Sequence, residues 1–393
     1  MNRKNFRFRR FFLIESMQED AIILPFKIPF DSKFHIEGER CVLQDKQLWL
    51  QPDYFEGFKC KCGACRNCCC TGWDIAVGMD EYFRLIGMEC PEEIHRRLEC
   101  AFRVPSEPSP ERFRLISPNW LGECPLHDED GLCMIQRELG EAALPEICRM
   151  YPRCLKKEGS LYEALCSNSC EAVVELLMRP EQLKFHFVEM DAKSEIEAQA
   201  DDGMLNLSKR TMELLQENAG SLSERIGKIC GAIAGDAGYM TEKASISEGL
   251  KVLTDALTVL SEDSEALRRF AAETIARYGA KNPDAAENFS ADARRFEERF
   301  PGWERWYENI LANHLVYMNL PWVDARLNPK QARSGMCLTY AAMRAMGAAY
   351  TAESGRRDDL ADALAGLFRL VEHSPFYYNA YVLVKEPSCL LAL

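Results

Sequence analysis

Cysteine is the residue type that most constrains what this chain can fold into. Fifteen of its 18 cysteines lie between Cys41 and Cys170, and six of those fall between Cys60 and Cys70. Thiols packed this densely either pair as disulfides or bind metal. In a reducing compartment clustered cysteines more often serve as metal ligands or redox centres, so we expect a metal site in this region.

Composition narrows the class of protein around that site. The chain has 393 residues, of which 47% are hydrophobic, and a formal net charge of −13. This acidity argues against nucleic-acid binding, which depends on neutralising phosphates. The basic N-terminus carries one short apolar stretch, Phe11–Ile14, which Glu15 interrupts. It is too short for a secretory core, and no later stretch has the length of a charge-free membrane span. We expect a cytoplasmic protein with no membrane or nucleic-acid partner.

The pattern along the chain divides it into zones and predicts a mainly α fold. Residues 1–50 form an N-terminal extension with possible short strands at Phe34–Ile36 and Cys41–Leu43. Residues 51–180 form a cysteine-rich metal or iron–sulfur domain, rich in turns, with few short strands. Residues 180–200 read as a connection, with Pro180 marking a helix stop. Residues 200–393 are expected to form an α-helical domain.

Helical periodicity is clearest in the C-terminal half. Ser245 followed by Glu248 predicts a capping box at a helix start. Leucines at helical spacing follow it on one face: Leu250, Leu253, Leu257 and Leu260. Further helices are predicted at 302–319, 329–349 and 357–372, and prolines separate them.

The cysteine spacing alone leaves the metal open between zinc and an iron–sulfur cluster. Cys62, Cys65 and Cys68 have the spacing of a zinc ribbon, but no second CxxC pair follows. Cys65-x3-Cys69 is followed by Gly72, where a radical S-adenosylmethionine enzyme needs its third ligand. Adjacent cysteines in extended backbone point in different directions, and we expect this of Cys69 and Cys70. Ordinary core positions are expected for six others: Cys41, Cys90, Cys100, Cys230, Cys337 and Cys389.

Four segments resemble the flagellin lysine-N-methylase family in order and spacing. They are CKCGACRNCCCTGWDI (60–75), CPLHDEDGLCMIQRELGE (124–141), CRMYPR (148–153) and SCEAVVELL (169–177). ENILANHLVYMNLPW (308–322) and FRLVEH (368–373) look like looser family segments. The cysteine part is also similar to small zinc- or iron-chelating domains. The resemblance runs from about Pro52 to near the C-terminus.

The resemblance implies both a cofactor and an activity. The family is described as carrying a [4Fe–4S] cluster and methylating flagellin lysines with S-adenosylmethionine. It implies eight metal ligands: Cys60, Cys65, Cys69, Cys70, Cys124, Cys133, Cys148 and Cys170. Four further thiols are extra to the pattern: Cys62, Cys68, Cys154 and Cys166. Glu171 stands where the family has proline. Eight thiols exceed the four that one cluster needs, so a second metal or another role exists for the rest.

The segment after Cys148 offers candidate cofactor contacts. Arg149, Tyr151 and Arg153 could bind the carboxylate of the methyl donor or donate to cluster sulfur. The alternative is a helix end stopped by Pro152, with Tyr151 in the core. The sequence assigns no catalytic residue.

Two histidines and one tryptophan have alternatives of the same kind. His127 is either a metal ligand or an exposed turn residue, and the turn is favoured. His373 is expected at a helix end, where a cation suits the helix dipole. Trp73 either covers the metal centre or simply packs, and packing is favoured.

No dinucleotide-binding loop is recognisable. Gly231, Gly235 and Gly238 approach a glycine-rich motif, but no apolar strand precedes them, and a loop between helices is the simpler interpretation. The resemblance implies an S-adenosylmethionine-dependent protein-lysine N-methyltransferase, here without a familiar donor fold, whereas composition and spacing alone indicate only a cytosolic cysteine-rich metalloprotein. The alternative is a non-catalytic zinc- or iron-chelating or electron-transfer protein with a helical interaction domain.

Overall fold

A computed structural model describes most of the chain. It covers residues 46–128, 130–158, 161–191, 202–235, 244–262, 265–320 and 328–393. The strands expected at Phe34–Ile36 and Cys41–Leu43 lie outside the described residues. No helix among the described residues is both long and apolar enough to cross a bilayer.

The fold is mainly α with few short strands, as the sequence predicts. In chain order the helices are α1 (Met79–Ile86), α2 (Glu92–Ala101), α3 (Met134–Leu139), α4 (Glu146–Met150), α5 (Glu171–Leu177), α6 (Asp202–Leu215), α7 (Leu222–Ala234), α8 (Ile246–Leu260), α9 (Glu265–Tyr278), α10 (Ala285–Arg299), α11 (Trp303–Tyr317), α12 (Pro329–Thr351), α13 (Arg357–His373) and α14 (Phe376–Leu383). The strands are β1 (Lys46–Pro52), β2 (Ile75–Val77), β3 (Phe102–Arg103), β4 (Arg114–Ile116), β5 (Arg153–Glu158), β6 (Leu161–Cys166) and β7 (Phe185–Asp191).

The C-terminal helices follow the predicted signals closely. Ser245 and Glu248 form the capping box that opens α8, and the four predicted leucines of that helix are buried. Helices α11, α12 and α13 lie within a few residues of the predicted ranges. Helix α12 is buried along most of its length and packs against α7, α9, α10, α13 and α14. Because water reaches so little of it, α12 is the central helix of the larger core.

A four-stranded sheet joins the cysteine-rich region to these helices. Its order is β5-β6-β1-β7, with β1 parallel to β6 and the other pairs antiparallel. Strand β7 falls within 180–200, which the sequence analysis treats as a connection. That interpretation is wrong for 185–191, because these residues pair in register with all of β1, from Lys46 opposite Asp191 to Pro52 opposite Phe185.

The hydrophobic residues form two clusters. The smaller lies between Val77 and Leu144 and covers one face of the three-stranded sheet β2-β4-β3, with α1, α2 and α3. The larger gathers the C-terminal helices together with Tyr54, Phe58 and Val173. The region from 51 to 178 therefore contains more regular structure than its turn-rich composition suggests, while the domain boundaries stay a prediction.

Candidate functional site

Three consecutive thiols converge at the loop before β2. The sulfur atoms of Cys68, Cys69 and Cys70 all lie within 4.8 Å of one another. The expectation that Cys69 and Cys70 point apart is wrong, because the chain turns here instead of running extended. Cys68, which the family pattern leaves out, is thus part of the closest thiol group among the described residues. The group could hold a metal ion.

The protons of this thiol group are strongly coupled. Hydrogen bonds from the Cys69 and Cys70 thiols hold the pKa of Cys68 far below its usual range, and the N–H of Cys70 lies 3.4 Å from the Cys68 sulfur. The same hydrogen bonds raise the pKa values of Cys69 and Cys70. The three thiols therefore titrate as one coupled group, in which the negative charge is favoured on Cys68.

His127 lies against the group, although the sequence favours an exposed turn for it. Its Nε2 is 3.5 Å from the Cys68 sulfur, and the residue is half-buried. Backbone hydrogen bonds join the two segments, from the N–H of Cys124 to the carbonyl of Cys70 at 2.7 Å and from Gly72 to Gly122 at 2.9 Å. His127 thus lies beside the group at Cys68, and the three thiols by themselves form the compact donor set among the described residues.

Further thiols flank the group on the side of the 122–150 segment. Burial raises the pKa of Cys124 to about 11, and the neighbouring sulfurs of Cys133 and Cys68 add to the rise. Burial also raises the pKa of Cys148, with contributions from Cys124, Cys133 and Cys69. Cys133 is the residue before α3, and the N–H groups of Gln136 and Ile135 partly offset the effect of burial on its pKa. These predicted ligands are therefore neighbours of the central group.

On the other side lie the thiols of Cys60, Cys65 and Cys170. Burial raises the pKa of Cys65 to about 12, followed by the charges of Glu171, Cys170, Cys60 and Cys68. Cys170 directly precedes α5, whose first N–H groups oppose the rise that burial causes in its pKa. The predicted ligands thus fall into two groups that meet at the central thiols.

The buried carboxylate of Glu171 fixes the backbone of the cysteine loop. Glu171 is 1% exposed and accepts hydrogen bonds from the backbone N–H of Asn67 at 2.6 Å and of Arg66 at 3.1 Å. The ammonium group of Lys61 donates to it at 3.1 Å. Glu171, which stands where the family has proline, therefore has a structural role, because its carboxylate ties the cysteine loop to the start of α5.

Helix α13 holds the same loop from the opposite direction. The buried guanidinium of Arg369 donates to the carbonyls of Cys68 at 2.7 Å, Asn67 at 2.9 Å and Thr71 at 3.3 Å. On the same helix, Asp362 pairs with Arg66 at 3.0 Å. The positions of the thiols consequently depend on a helix some 300 residues further along the chain.

An aromatic cluster lies next to the cysteine loop and consists of Trp73, Tyr151, Tyr317 and His373. The indole N–H of Trp73 donates to the carbonyl of Cys69 at 2.7 Å. The Trp73 ring meets His373 at 5.1 Å and Tyr151 at 5.6 Å, and Tyr317 meets His373 at 6.2 Å between ring centroids. Trp73 therefore packs, as the sequence favours, and also separates the cysteine loop from the His373 ring.

A chain of hydrogen bonds runs behind this aromatic cluster. The hydroxyl of Ser169 contacts Tyr151 at 2.9 Å and His373 Nε2 at 2.9 Å, and the Ser167 hydroxyl contacts Ser169 at 2.6 Å. Ser167 donates to Glu372 Oε2 at 2.6 Å, and Glu372 Oε1 lies 2.9 Å from His314 Nδ1. His314 and the Glu372 side chain are fully buried.

Helix α11 positions the loop between β6 and α5. The amide of Asn168 donates to the carbonyl of Ile310 at 3.0 Å, and that of Asn313 donates to the carbonyl of Cys166 at 2.8 Å. Asn309 and Asn313 are completely buried one turn apart on α11. Polar residues at that spacing on an apolar helix are the sequence signal that could have indicated this network before the structure.

The three candidate cofactor residues have different surroundings. Arg149 is half-buried and its guanidinium makes no hydrogen bond or ion pair within the described ranges. Tyr151 belongs to the aromatic cluster. Arg153 donates to the carbonyl of Phe58 at 3.2 Å and lies over the Phe58 ring, which is a packing role. Of the three, Arg149 has the charge most available to a ligand.

The remaining cysteines divide by burial. Cys230, Cys337 and Cys389 are buried in the larger core, as expected, and Cys90 packs against the smaller one. Cys100 is exposed, so its core assignment is wrong. Helix α2 buries the face of Ile94, Leu98 and Ala101, and position 100 lies off that face. Of the extra thiols, Cys62 is exposed, Cys154 is half-buried and Cys166 is buried. Cys41 lies outside the described residues.

Two other expectations concern the helix ends. His373 is the last residue of α13, as predicted, but burial lowers its pKa, so the ring is held neutral and is not the cation expected at a helix C-terminus.

The glycine-rich segment belongs to a helix and its end. Gly231 lies inside α7 and Gly235 ends it with a positive φ of 67°. Gly238 lies outside the described residues.

Comparison with known proteins shows how much of the chain the resemblance covers. Over 103 residues, 26% of this chain, the sequence is 29% identical to a protein named Lysine-N-methylase from Salmonella typhimurium strain LT2 and to one from Salmonella choleraesuis strain SC-B67. The chain is similar to lysine-N-methylases. It is also 28% identical over 103 residues to the Flagellar biosynthetic protein FliU of Salmonella muenchen, covering 60% of that protein.

The similarity is partial. The match spans 25% of the length of each of the two lysine-N-methylases. No family model matches the chain, and no solved structure matches it. The predicted resemblance is confirmed for about a quarter of the chain, and the cysteine group that could hold a metal agrees with it.

Proposed function

We propose that this protein is a cytoplasmic S-adenosylmethionine-dependent methyltransferase that modifies lysine side chains of flagellin. The observation that carries the proposal is the similarity to proteins named Lysine-N-methylase, together with a relative named for flagellar biosynthesis. We do not assign a membrane or nucleic-acid partner. The net charge of −13 argues against a nucleic-acid partner.

The proposal includes a thiolate-bound metal centre, with a [4Fe–4S] cluster as the first candidate and zinc as the alternative. The donor chemistry fits such a centre, because the group of three closely spaced donors found among the described residues consists of the soft sulfurs of Cys68, Cys69 and Cys70. Their separation of at most 4.8 Å also suits a single tetrahedral zinc ion, in which thiolates about 2.3 Å from the metal lie roughly 3.8 Å apart.

The flanking thiols supply the additional ligands that a cluster requires. The eight proposed ligands are Cys60, Cys65, Cys69, Cys70, Cys124, Cys133, Cys148 and Cys170, and Cys68 joins them on geometric grounds. A bound centre would hold the loops at 60–73 and 122–150 together. The protein's own contribution is to fix those loops through Glu171 and Arg369.

Methyl transfer to lysine is a polar displacement and does not require a radical. The lysine nitrogen must lose a proton, attack the methyl carbon and release S-adenosylhomocysteine. Arg149, which has no partner within the described ranges, is proposed to bind the carboxylate of the methyl donor. Tyr151 and Arg153 have hydrogen-bond partners of their own and are weaker candidates.

The test is incubation of the purified, metal-loaded protein with flagellin and S-adenosylmethionine carrying a labelled methyl group. The proposal predicts label in flagellin as methyl-lysine. An absorption spectrum recorded first separates a brown iron–sulfur protein from a colourless zinc protein. Intact metal with no labelled lysine would favour the non-catalytic alternative, a chelating or electron-transfer module joined to a helical domain.

A further inference from the structure

The hydrogen bonds around His373 determine which ring nitrogen carries its proton. The chain of hydrogen bonds ends at the Glu372 carboxylate, which can only accept protons from its neighbours, so the donors can be assigned from there. The Ser167 hydroxyl donates its single proton to Glu372 Oε2 at 2.6 Å, and the backbone N–H of Asn168 donates to the same oxygen at 2.9 Å. Ser167 therefore has no proton left for its other neighbours.

The next link follows from the short contact between the two serines. Ser167 and Ser169 hydroxyl oxygens lie 2.6 Å apart, so one proton must lie between them. Because the Ser167 proton points to Glu372 in the hydrogen bond that Ser167 donates, the proton between the two serines belongs to Ser169. Ser169 then has only lone pairs to offer to Tyr151 at 2.9 Å and to His373 Nε2 at 2.9 Å.

His373 must consequently donate from Nε2, and its basic lone pair is on Nδ1. No described polar group contacts Nδ1, and the residue keeps exposed surface at the end of α13. Trp73 and Tyr317 flank the ring at 5.1 and 6.2 Å, and Tyr151 lies beyond Trp73. The result is a neutral, oriented imidazole with two aromatic rings against it.

The charged groups near the ring favour a neutral base. Burial lowers the pKa of His373, Glu372 on the same helix opposes this, and Arg369 adds to it. From the other elements, the ring faces Tyr317 of α11 and the Tyr151–Ser169 pair. Burial raises the pKa values of both tyrosines, so both are neutral phenols at physiological pH.

We propose that Nδ1 of His373 accepts the proton of the substrate's lysine ammonium group, and that Trp73 and Tyr317, the two rings that flank His373, bind that cationic side chain. Aromatic faces attract ammonium groups and tolerate added methyl groups, because the charge persists after methylation. The cysteine loop is one indole away, since Trp73 donates to the carbonyl of Cys69. The inference rests on the proposed lysine methylation.

The step balances without a further reactant. The ammonium N–H bond breaks and its proton moves to Nδ1, while the other ring proton stays on Nε2 and remains hydrogen-bonded to Ser169. The neutral amine forms a bond to the methyl carbon, and the carbon–sulfur bond of the sulfonium breaks with its electron pair remaining on sulfur. The imidazolium then returns its proton to solvent. Ser167, Ser169 and Glu372 act as positioning residues, because they orient the ring without contacting the substrate.

The test compares the pH dependence of methyl transfer in the wild-type protein, His373→Gln and a matched surface variant, His186→Gln. Glutamine can still donate to Ser169 but cannot take up a proton. For the wild type, kcat/KM should rise with pH as His373 loses its proton and should reach a plateau below neutral pH, because the pKa of His373 is lowered. For His373→Gln it should fall by about 100-fold or more at pH 7 and climb tenfold per pH unit toward the pKa of lysine, about 10.4. His186 is exposed on β7 and its variant should follow the wild type.

Two further measurements keep the outcomes distinct. Nitrogen chemical shifts of labelled histidine should show the Nε2–H tautomer for His373, and Ser169→Ala should weaken that preference without loss of bound metal. A parallel loss of rate at all pH values in His373→Gln, or an Nδ1–H tautomer, would overturn the role of His373 while lysine methylation stands. A wild-type protein that methylates no lysine would overturn the proposed function and this inference together.

Discussion

At the scale of single residues, one of the thiols outside the family pattern, Cys68, belongs to the close group of three thiols. Cys68 lies within 4.8 Å of Cys69 and Cys70 at the sulfur atoms, and His127 is 3.5 Å from it. Comparing the cysteine positions with the family spacing could not reveal this, because a turn in the chain, and not the spacing, makes the three thiols converge. The pattern did identify the neighbouring thiols, which surround this group.

Cysteine variants should therefore differ in how much metal they retain. We expect Cys68→Ser, Cys69→Ser and Cys148→Ser each to lose most of the bound metal, because each removes a soft ligand from the central or flanking thiols. Cys62→Ser is the matched control, since Cys62 lies in the same loop but outside the close group of three thiols and outside the eight proposed ligands. Metal analysis of the purified variants gives the answer, and equal metal in Cys62→Ser and Cys68→Ser would contradict the placement of Cys68.

A second residue-scale prediction concerns Glu171. Glu171→Ala leaves two backbone N–H groups without their acceptor and should lower the free energy of unfolding by about 3 kcal/mol, at the low end for breaking a buried ion pair because Lys61 and Arg66 can turn to water. Glu175 pairs with the same cations but is 28% exposed in its side chain, and Glu175→Ala should cost less than about 1 kcal/mol. Urea unfolding measures both, and equal losses would show that Glu171 is not the anchor.

At the scale of elements, α13 brings the two halves of the site together. Arg369, Glu372 and His373 are three and four residues apart and share one face of this helix. Arg369 binds the cysteine loop, whereas Glu372 and His373 begin the hydrogen-bond chain to Ser167 and Ser169. One helix thus sets both the position of the thiols and the orientation of the proposed base.

Weakening that link should loosen the metal site without unfolding the protein. Arg369→Lys keeps the charge but cannot reach three carbonyl groups at once. We expect the affinity for metal to fall roughly 10-fold, the lower end of what outer-shell changes cost. Competition with a chromophoric chelator measures it. Arg356→Lys, at an exposed arginine just before α13, should behave as wild type, and an unchanged affinity in Arg369→Lys would show that α13 does not support the loop.

Local signals in the sequence predicted the elements well and the site only in part. The Ser245–Glu248 capping box, the leucine face of α8 and the bounds of α11 to α13 depend on neighbouring residues and could be read directly. The pairing of β7 with β1, and the contact of Arg369 with Asn67, join residues far apart in the chain. Such contacts depend on the packed core, which no local pattern encodes.

At the scale of the whole molecule, the two hydrophobic clusters should respond differently to loss of metal. The smaller cluster lies between Val77 and Leu144, flanked by the thiol loops, whereas Tyr54, Phe58 and Val173 belong to the larger core. Metal removal should consequently open the segment from about Cys60 to Met150 and leave the C-terminal helices folded. The segment expected to open is shorter than the whole cysteine-rich region at 51–180.

Limited proteolysis with and without a strong chelator tests this. We expect new cuts between Cys60 and Met150 after chelation, and a C-terminal fragment beginning near Val173 that persists. Mass spectrometry of the fragments locates the cuts. Identical digestion in both conditions would mean that the smaller cluster is stable without metal.

The central claim is that this chain transfers a methyl group from S-adenosylmethionine to lysine by direct displacement, on a scaffold that thiol-bound metal holds together. Its most direct test is quantitative mass spectrometry of the products formed with flagellin under anaerobic conditions. The account predicts one S-adenosylhomocysteine for each methyl group found on lysine, with no dependence on a strong reductant. Stoichiometric 5′-deoxyadenosine, or an absence of methyl-lysine with the metal intact, would contradict it.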